Sequence, residues 1–129
     1  MGYGRTVLID DPVTGAVGRV KDALKAQGFG TLTEIDVQAT LKEKIGAEID
    51  PYVILGACNP ALAHRALQAE PDVGLLLPCN VIVRVHGDRT QVSALDPEII
   101  AELADHPDLE PIADEATRLL DAALESLTT

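Results

Sequence analysis

The chain has 129 residues, of which 47% are apolar, and this composition is typical of one globular domain rather than of a disordered segment. Aromatic residues make up only 2%, so we expect an aliphatic core. The net charge is −11, and residues 96–129 contribute ten acids against one base. Because such a surface repels phosphate groups, the sequence predicts neither nucleic-acid binding nor binding to an anionic membrane.

Targeting and membrane signals give the expected location. No apolar run approaches the roughly 20 residues that a bilayer-spanning helix needs. The first residues also lack a basic region followed by an apolar core, which is the pattern of a secretory signal. We therefore expect a cytoplasmic protein with a single domain over residues 1–129.

Stretches of strand and helix character alternate along the whole chain. In chain order, the predicted elements are a strand at residues 5–9, a helix from Asp11-Pro12 to Gly28, a strand at 29–35, a short helix at 37–45, a strand at 52–57, a helix from Asn59-Pro60 to Pro71, strands at 75–77, 81–85 and 90–95, a helix from Asp96-Pro97, and a last helix at 109–127. Asp or Asn before Pro favours a helix start, because the acid or amide caps the first turn and proline lacks only an amide hydrogen that would be unpaired there. Gly87-Asp88 predicts a hairpin turn between the last two strands.

Val37, Leu41 and Ile45 are four residues apart, so the helix at residues 37–45 is predicted to be amphipathic.

The edges of the sheet predict self-association. The strands at residues 5–9 and 90–95 are aliphatic with few charges, and we expect them to leave a sheet edge that needs covering. The sequence therefore predicts a homodimer that buries apolar surface.

The middle of the chain holds the residues of greatest chemical interest. Two apolar runs each carry a cysteine followed by an asparagine: Cys58-Asn59 where the first run ends, and Cys79-Asn80 where the second bends. Cys58 directly precedes a predicted helix, whose dipole favours a thiolate. The two asparagine side chains can donate hydrogen bonds to a bound group. If the strands that hold the cysteines are neighbours, the two thiols meet.

Several of these segments together resemble a known family. They are residues 28–30, 34–36, 54–60, 74–77, 78–81 and 96–97. With them, the chain resembles the domain of unknown function 302 family over most of its length. The resemblance implies a two-layer α+β fold, in which helices cover a curved, mainly antiparallel sheet similar to that of the TATA-binding protein, and it implies dimers. It implies no activity, so it transfers a fold and not a mechanism.

Three interpretations of the cysteines remain open. In the first, the domain binds a ligand or uses a thiol in a pocket, and the candidate site residues are Cys58, Asn59, Cys79, Asn80 and Glu34. In the second, the protein is a dimeric structural or interaction module with inert cysteines, since free Cys is among the most buried residue types. In the third, both thiolates bind a soft metal ion, and Glu34 or Asp36 has to supply another ligand. The sequence identifies no metal and no cofactor.

The sequence shows no pattern of an enzyme, and we predict no catalytic residues. Ser93 and Ser126 lack the turn that presents a serine nucleophile, and no His is placed near either Cys. One observation separates a thiol or ligand site from inert packing. Sulfur atoms within about 4 Å of each other, or a shared pocket open to solvent, favour a site, because inert core thiols need neither.

Overall fold

The computed structural model describes residues 2–129, and its elements follow the predicted alternation of strands and helices. In chain order they are β1 (Gly4–Ile9), α1 (Val13–Ala26), β2 (Gly30–Asp36), α2 (Val37–Ile45), β3 (Tyr52–Cys58), α3 (Pro60–Ala69), β4 (Cys79–His86), β5 (Arg89–Leu95), α4 (Pro97–Ala104) and α5 (Glu110–Ser126). Short 3₁₀ helices at Pro71–Leu76 and Pro107–Leu109 follow α3 and α4. No helix within residues 2–129 combines the length and the apolar character that crossing a membrane requires.

The strands form one antiparallel sheet in the order β1-β5-β4-β3-β2. Leu55, Val81 and Val83 point to one face of the sheet, and they are fully buried against α1 and α5. Paired residues share a face, so the register assigns every second strand residue to this helix-covered side. The predicted α+β fold, with helices over an antiparallel sheet and a long C-terminal helix, is confirmed.

Two of the three predicted helix caps are confirmed. The side chains of Asn59 and Asp96 cap α3 and α4, each accepting a hydrogen bond from a first-turn amide, at 3.2 and 3.0 Å. The predicted cap at Asp11 is wrong. Pro12 has an extended backbone, with ψ of 153°, and takes the cap position without a side-chain bond. Asp11 pairs instead with Arg19, at 2.8 Å between Oδ1 and Nη1.

The strand predicted at residues 75–77 is wrong, because most of that run belongs to the 3₁₀ helix Pro71–Leu76. Its leucines suggested a strand, but Pro71 and Pro78 bound a segment too short to pair with a neighbour. Leu75 is 89% exposed, so its side chain lies outside the hydrophobic core. The chain enters β4 only after Pro78, which follows a cis peptide bond.

The order of the strands corrects one of the two predicted edges. β5 lies between β1 and β4, so residues 90–95 form no edge, whereas β1 is an edge as predicted and β2 is the other. The helix α2, predicted to be amphipathic, does not bury its apolar side. None of its residues is buried, and Ile45 is 73% exposed. The helix connects the edge strand β2 to its neighbour β3 and contacts both, but α1 already fills the helix-covered side above them.

Candidate functional site

A cavity of about 320 Å³ opens to the surface where the ends of the central strands meet α3, α4 and α5. Its walls contain many small side chains, and these leave the space unfilled. The alanines in the lining are Ala57, Ala63, Ala66, Ala101, Ala113 and Ala116. Within the described chain, no charged residue lines the cavity. An uncharged wall of this kind favours an apolar occupant.

Two leucines line the cavity and also reach solvent. Leu67 on α3 is 41% exposed. Leu32 is 65% exposed, because the pairing of β2 with β3 is irregular between Thr31 and Thr33 and leaves Leu32 unpaired. A bulge of this type redirects a side chain. The two leucines therefore give the cavity an apolar rim.

Cys58, Asn59 and Cys79 line this one cavity. Cys79 pairs across the sheet with Ala57, and Cys58 is the last residue of β3, where the chain leaves the sheet for α3. Cys79 is 8% exposed, and Cys58 is partly buried. The structure thus brings together three of the five predicted site residues in a pocket that reaches solvent. Their use as a site stays a prediction.

The chemical state of Cys79 follows from its position. Burial raises the pKa of the Cys79 thiol to about 11, and the neighbouring Cys58 adds to the rise. Burial has this effect because an apolar environment disfavours the thiolate. Cys79 is therefore protonated at neutral pH, and it contributes a weak S–H donor rather than a nucleophile.

The asparagine in the lining is fixed by its neighbours. Its side-chain oxygen caps α3, as described above. Its Nδ2 lies 3.0 Å from the point where a β-carbon of Gly28 would stand. Gly28 has φ of +87°, so a larger residue there is both strained and blocked by Asn59. Gly28 and Asn59 therefore form a matched pair beside the cavity.

Asn80 and Glu34 lie outside the lining of the cavity. Asn80 follows Cys79 in β4, so it points to the opposite face of the sheet, where it is exposed. Glu34 forms an ion pair with Lys21 of α1. Asp36, the other acid considered as a metal ligand, caps α2 by accepting the amide of Ala39 at 2.9 Å. Among residues 2–129, no three His, Cys, Asp or Glu side chains are grouped so that they could hold a metal ion.

Sequence reasoning missed the wall that α4 and α5 provide. Pro97, Ile100 and Ala113 line the cavity, although the sequence predicted only helices in this part of the chain. The available signal was the run of alanines on the buried sides of α3 and α5. Alanine at a buried position adds little volume, so several together on facing elements indicate free space.

Charged residues join this wall to the edge of the sheet. Arg5 of β1 is hydrogen-bonded to Asp121 of α5 and lies 3.6 Å from Asp96, and this bonding raises the pKa of Arg5. On the same side of α4, a hydrogen bond to Asp114 of α5 raises the pKa of Glu98, with burial as a further cause. Glu98, at the contact of α4 with α5, therefore holds its proton more readily than an isolated glutamic acid.

Comparison with known proteins adds a family. The model for the domain of unknown function DUF302 matches residues 5–127. The crystal structure of an uncharacterized conserved DUF302 protein from Bacillus stearothermophilus is similar to this chain, with a TM-score of 0.91 and 30% sequence identity. The similarity covers 98% of this chain and 99% of that one. No curated protein matches the chain.

Proposed function

The chain belongs to the DUF302 family, and because the family name assigns no activity, we propose a function from the cavity: the protein binds a small, uncharged, apolar molecule. The supporting observation is a space of about 320 Å³ with an uncharged and almost wholly apolar lining. Protein interiors are close-packed and leave few voids larger than a water molecule. In the open cavity, apolar wall atoms face solvent instead of packing partners, and a ligand of matching shape supplies those contacts.

The volume indicates the size of the ligand. Engineered apolar cavities of roughly 150 Å³ bind benzene, and small-molecule sites start at about 300 Å³. The cavity of about 320 Å³ therefore suits a fused pair of rings or a short alkyl chain. A charged group has no partner inside, and burying it unpaired is unfavourable.

The same geometry favours binding over the other interpretations of the cysteines. A redox thiol pair needs an accessible thiolate, whereas Cys79 is buried and its pKa is about 11. A soft-metal site needs further ligands close to the thiols, and Asp36 and Glu34 are engaged elsewhere. Ligand binding needs only the shape and polarity that the lining has.

A fluorescence titration tests the proposal. The neutral probe N-phenyl-1-naphthylamine brightens in apolar sites, and we expect saturable binding with one site per chain. Ala63 lines the cavity, so the larger side chain of Ala63→Phe should occupy the space and weaken binding by at least about tenfold, which is 1.4 kcal/mol. Ala61→Phe is the matched control, because Ala61 is exposed on the same helix and lies outside the lining. Equal affinity in both variants, or no saturable binding in the wild type, would contradict the proposal.

We further propose that the protein is a homodimer, joined through the sheet face that the helices leave open. Ile35, Ile54 and Ile82 lie side by side on this face by register, and Ile35 is 46% exposed. They belong to neither of the buried hydrophobic clusters. The paired positions on this face include no Asp or Glu in the described part of the chain, although the protein carries 21 acids. A second copy therefore meets no buried carboxylate there.

Four polar side chains of the open face are already bonded to each other. Arg84 donates to Gln91 at 2.8 Å, Gln91 donates to Ser93 at 2.8 Å, and Ser93 contacts Thr6 at 2.7 Å. A partner that covers them leaves few polar atoms without hydrogen bonds. Five strands about 4.8 Å apart and six or seven residues long give a flat area of roughly 500 Å². Side-chain relief adds to that figure, so it approaches the roughly 800 Å² that one partner buries in a standard interface.

Analytical ultracentrifugation tests the dimer at tens of micromolar protein. Ile82→Glu places a charge at the centre of the open face, so it should shift the protein to monomer without unfolding it. Leu103→Glu is the control, because Leu103 is 67% exposed on α4, away from that face. A wild-type protein that sediments as a monomer, or an Ile82→Glu variant that stays dimeric, would overturn the assignment.

A further inference from the structure

The cavity carries nucleophiles as well as apolar walls, and we infer that it takes apolar electrophiles such as α,β-unsaturated carbonyl compounds, which Cys58 captures covalently. The inference rests on the proposed function, because the cavity must first hold the apolar part of the molecule. It specifies the chemical class of the ligand, and it adds a covalent bond to the non-covalent binding.

The composition of the lining limits which groups can react. Among the residues that line the cavity, only Cys58, Cys79 and Asn59 have polar atoms in their side chains. An amide is not a nucleophile, so only the two thiols can attack a bound molecule. A cysteine thiol is only weakly polar, so it can lie in an apolar cavity whose lining contains no Lys or His.

The two thiols differ in their readiness to react. Cys79 is more than nine-tenths buried, and burial holds its pKa at about 11, so its thiolate is scarce at pH 7. Cys58 is partly exposed, and water can reach it to take up the proton. It also stands directly before the capping residue Asn59 of the ten-residue helix α3. The positive end of that helix dipole stabilises negative charge that develops on the attacking sulfur.

The reaction balances without a further reagent. The sulfur of Cys58 bonds to the β-carbon of the unsaturated carbonyl compound as the carbon–carbon π bond breaks. The electron pair moves to the carbonyl oxygen as an enolate, and the proton lost from the thiol returns through water to the α-carbon. The product is a saturated thioether with no leaving group, and neither an oxidant nor a reductant takes part.

A series of N-alkylmaleimides tests the inference on the full-length protein. These compounds are α,β-unsaturated carbonyl compounds that differ only in the alkyl group, and intact mass spectrometry follows their addition at pH 7. Burial of one methylene group strengthens binding about fourfold, so N-hexylmaleimide should react at Cys58 at least about tenfold faster than N-ethylmaleimide. Cys58→Ser should abolish this fast phase, whereas Cys79→Ser should retain it.

Two controls separate the capture step from the cavity itself. N-hexylsuccinimide has the same alkyl group but no reactive double bond, so displacement of the fluorescent probe measures its binding alone. Ala63→Phe should remove the dependence on alkyl length, and Ala61→Phe should leave it unchanged.

The outcomes distinguish the two proposals. Saturable succinimide binding, together with a fast length-dependent phase at Cys58, supports the inference. Succinimide binding with no faster reaction of the hexyl compound, or with addition at Cys79 instead, overturns covalent capture and leaves the proposed function intact. Failure of the succinimide to bind contradicts the proposed function as well.

Discussion

Residues 2–129 contain two hydrophobic clusters, and they are filled in different ways. Between α1, α5 and the centre of the sheet, large side chains such as Leu24, Leu55 and Leu120 are completely buried. The second cluster joins α3, α4 and the start of α5, and alanines at its wall leave the cavity of about 320 Å³. Packing density therefore differs between the two clusters.

This difference separates stability from binding. The first cluster contains most of the large buried side chains, so it contributes most of the free energy of folding through apolar burial. The second holds both cysteines at its cavity, where incomplete packing favours a ligand. Substitutions matched between the two clusters should therefore have different effects.

The largest contrast is expected from leucine truncation. Leu120→Ala removes a fully buried side chain from the dense cluster, and it should lower the free energy of unfolding by about 2–5 kcal/mol. Leu62→Ala should cost less, near the lower end of that range, because Leu62 already borders the cavity and has fewer contacts to lose. Urea denaturation at one pH measures both. A larger loss for Leu62→Ala would show that the cavity is filled in solution.

The second contrast depends on pH and on Cys79. The pKa of Cys79 is raised from 9.0 to about 11 in the folded protein, so the folded protein holds this proton more tightly than the unfolded chain does. That contribution is complete below about pH 9 and is lost as the pH rises towards 11, by about 2–3 kcal/mol at most. Denaturation under reducing conditions at pH 8.5 and 11 should show a smaller decrease for Cys79→Ala. Equal decreases in the variant and the wild type would mean that this thiol is accessible.

Replacing an alanine by valine should destabilise the protein in the dense cluster but not at the cavity, with changes in the free energy of unfolding of about 1 kcal/mol or more. Ala123→Val overfills the dense cluster and should destabilise the protein by about 1–3 kcal/mol. Ala113→Val lies on the same helix but faces the cavity, so it should be neutral or stabilise by up to about 1 kcal/mol. Both substitutions lie in α5, so the lower helix propensity of valine affects the two variants equally. Similar destabilisation in the two variants would contradict the unequal packing.

The smallest effect concerns the contact of α4 with α5. The pKa of Glu98 is raised mainly by its hydrogen bond to Asp114, so ionisation of Glu98 at neutral pH opposes folding. Glu98→Gln keeps a hydrogen-bond donor without the charge, and it should stabilise the protein at pH 7 by less than about 1 kcal/mol. The gain should disappear near pH 3.5, where the wild-type carboxyl group is protonated. A gain of the same size at both pH values would exclude the carboxyl pair as its cause.

Local signals predicted much of this fold. Asn59-Pro60 and Asp96-Pro97 predicted two helix starts, because a cap depends only on a side chain and the amides of the next turn. Asp11-Pro12 has the same pattern and failed. There Arg19 binds the aspartate, and the sequence pattern contains no information about that contact across two turns.

The candidate site was predicted in part. The two Cys-Asn pairs in the sequence identified Cys58, Asn59 and Cys79. Each cysteine lies at the end of a strand, and the two strands are neighbours in the sheet. Asn80 was grouped with them by adjacency in the sequence, but alternation along β4 directs it to the other face. The wall from α4 and α5 was not predicted, since its residues belong to a later part of the chain, residues 97–116.

The sequence by itself determined the class of fold, the alternation of elements and the aliphatic core, because propensity, capping and periodicity act over a few residues. Only the tertiary structure decided that β5 lies inside the sheet, that α2 buries no residue and that alanines from three helices enclose one cavity. These features depend on which distant segments are brought together. A cavity is the volume that facing side chains fail to fill, and that volume is fixed only when the elements pack.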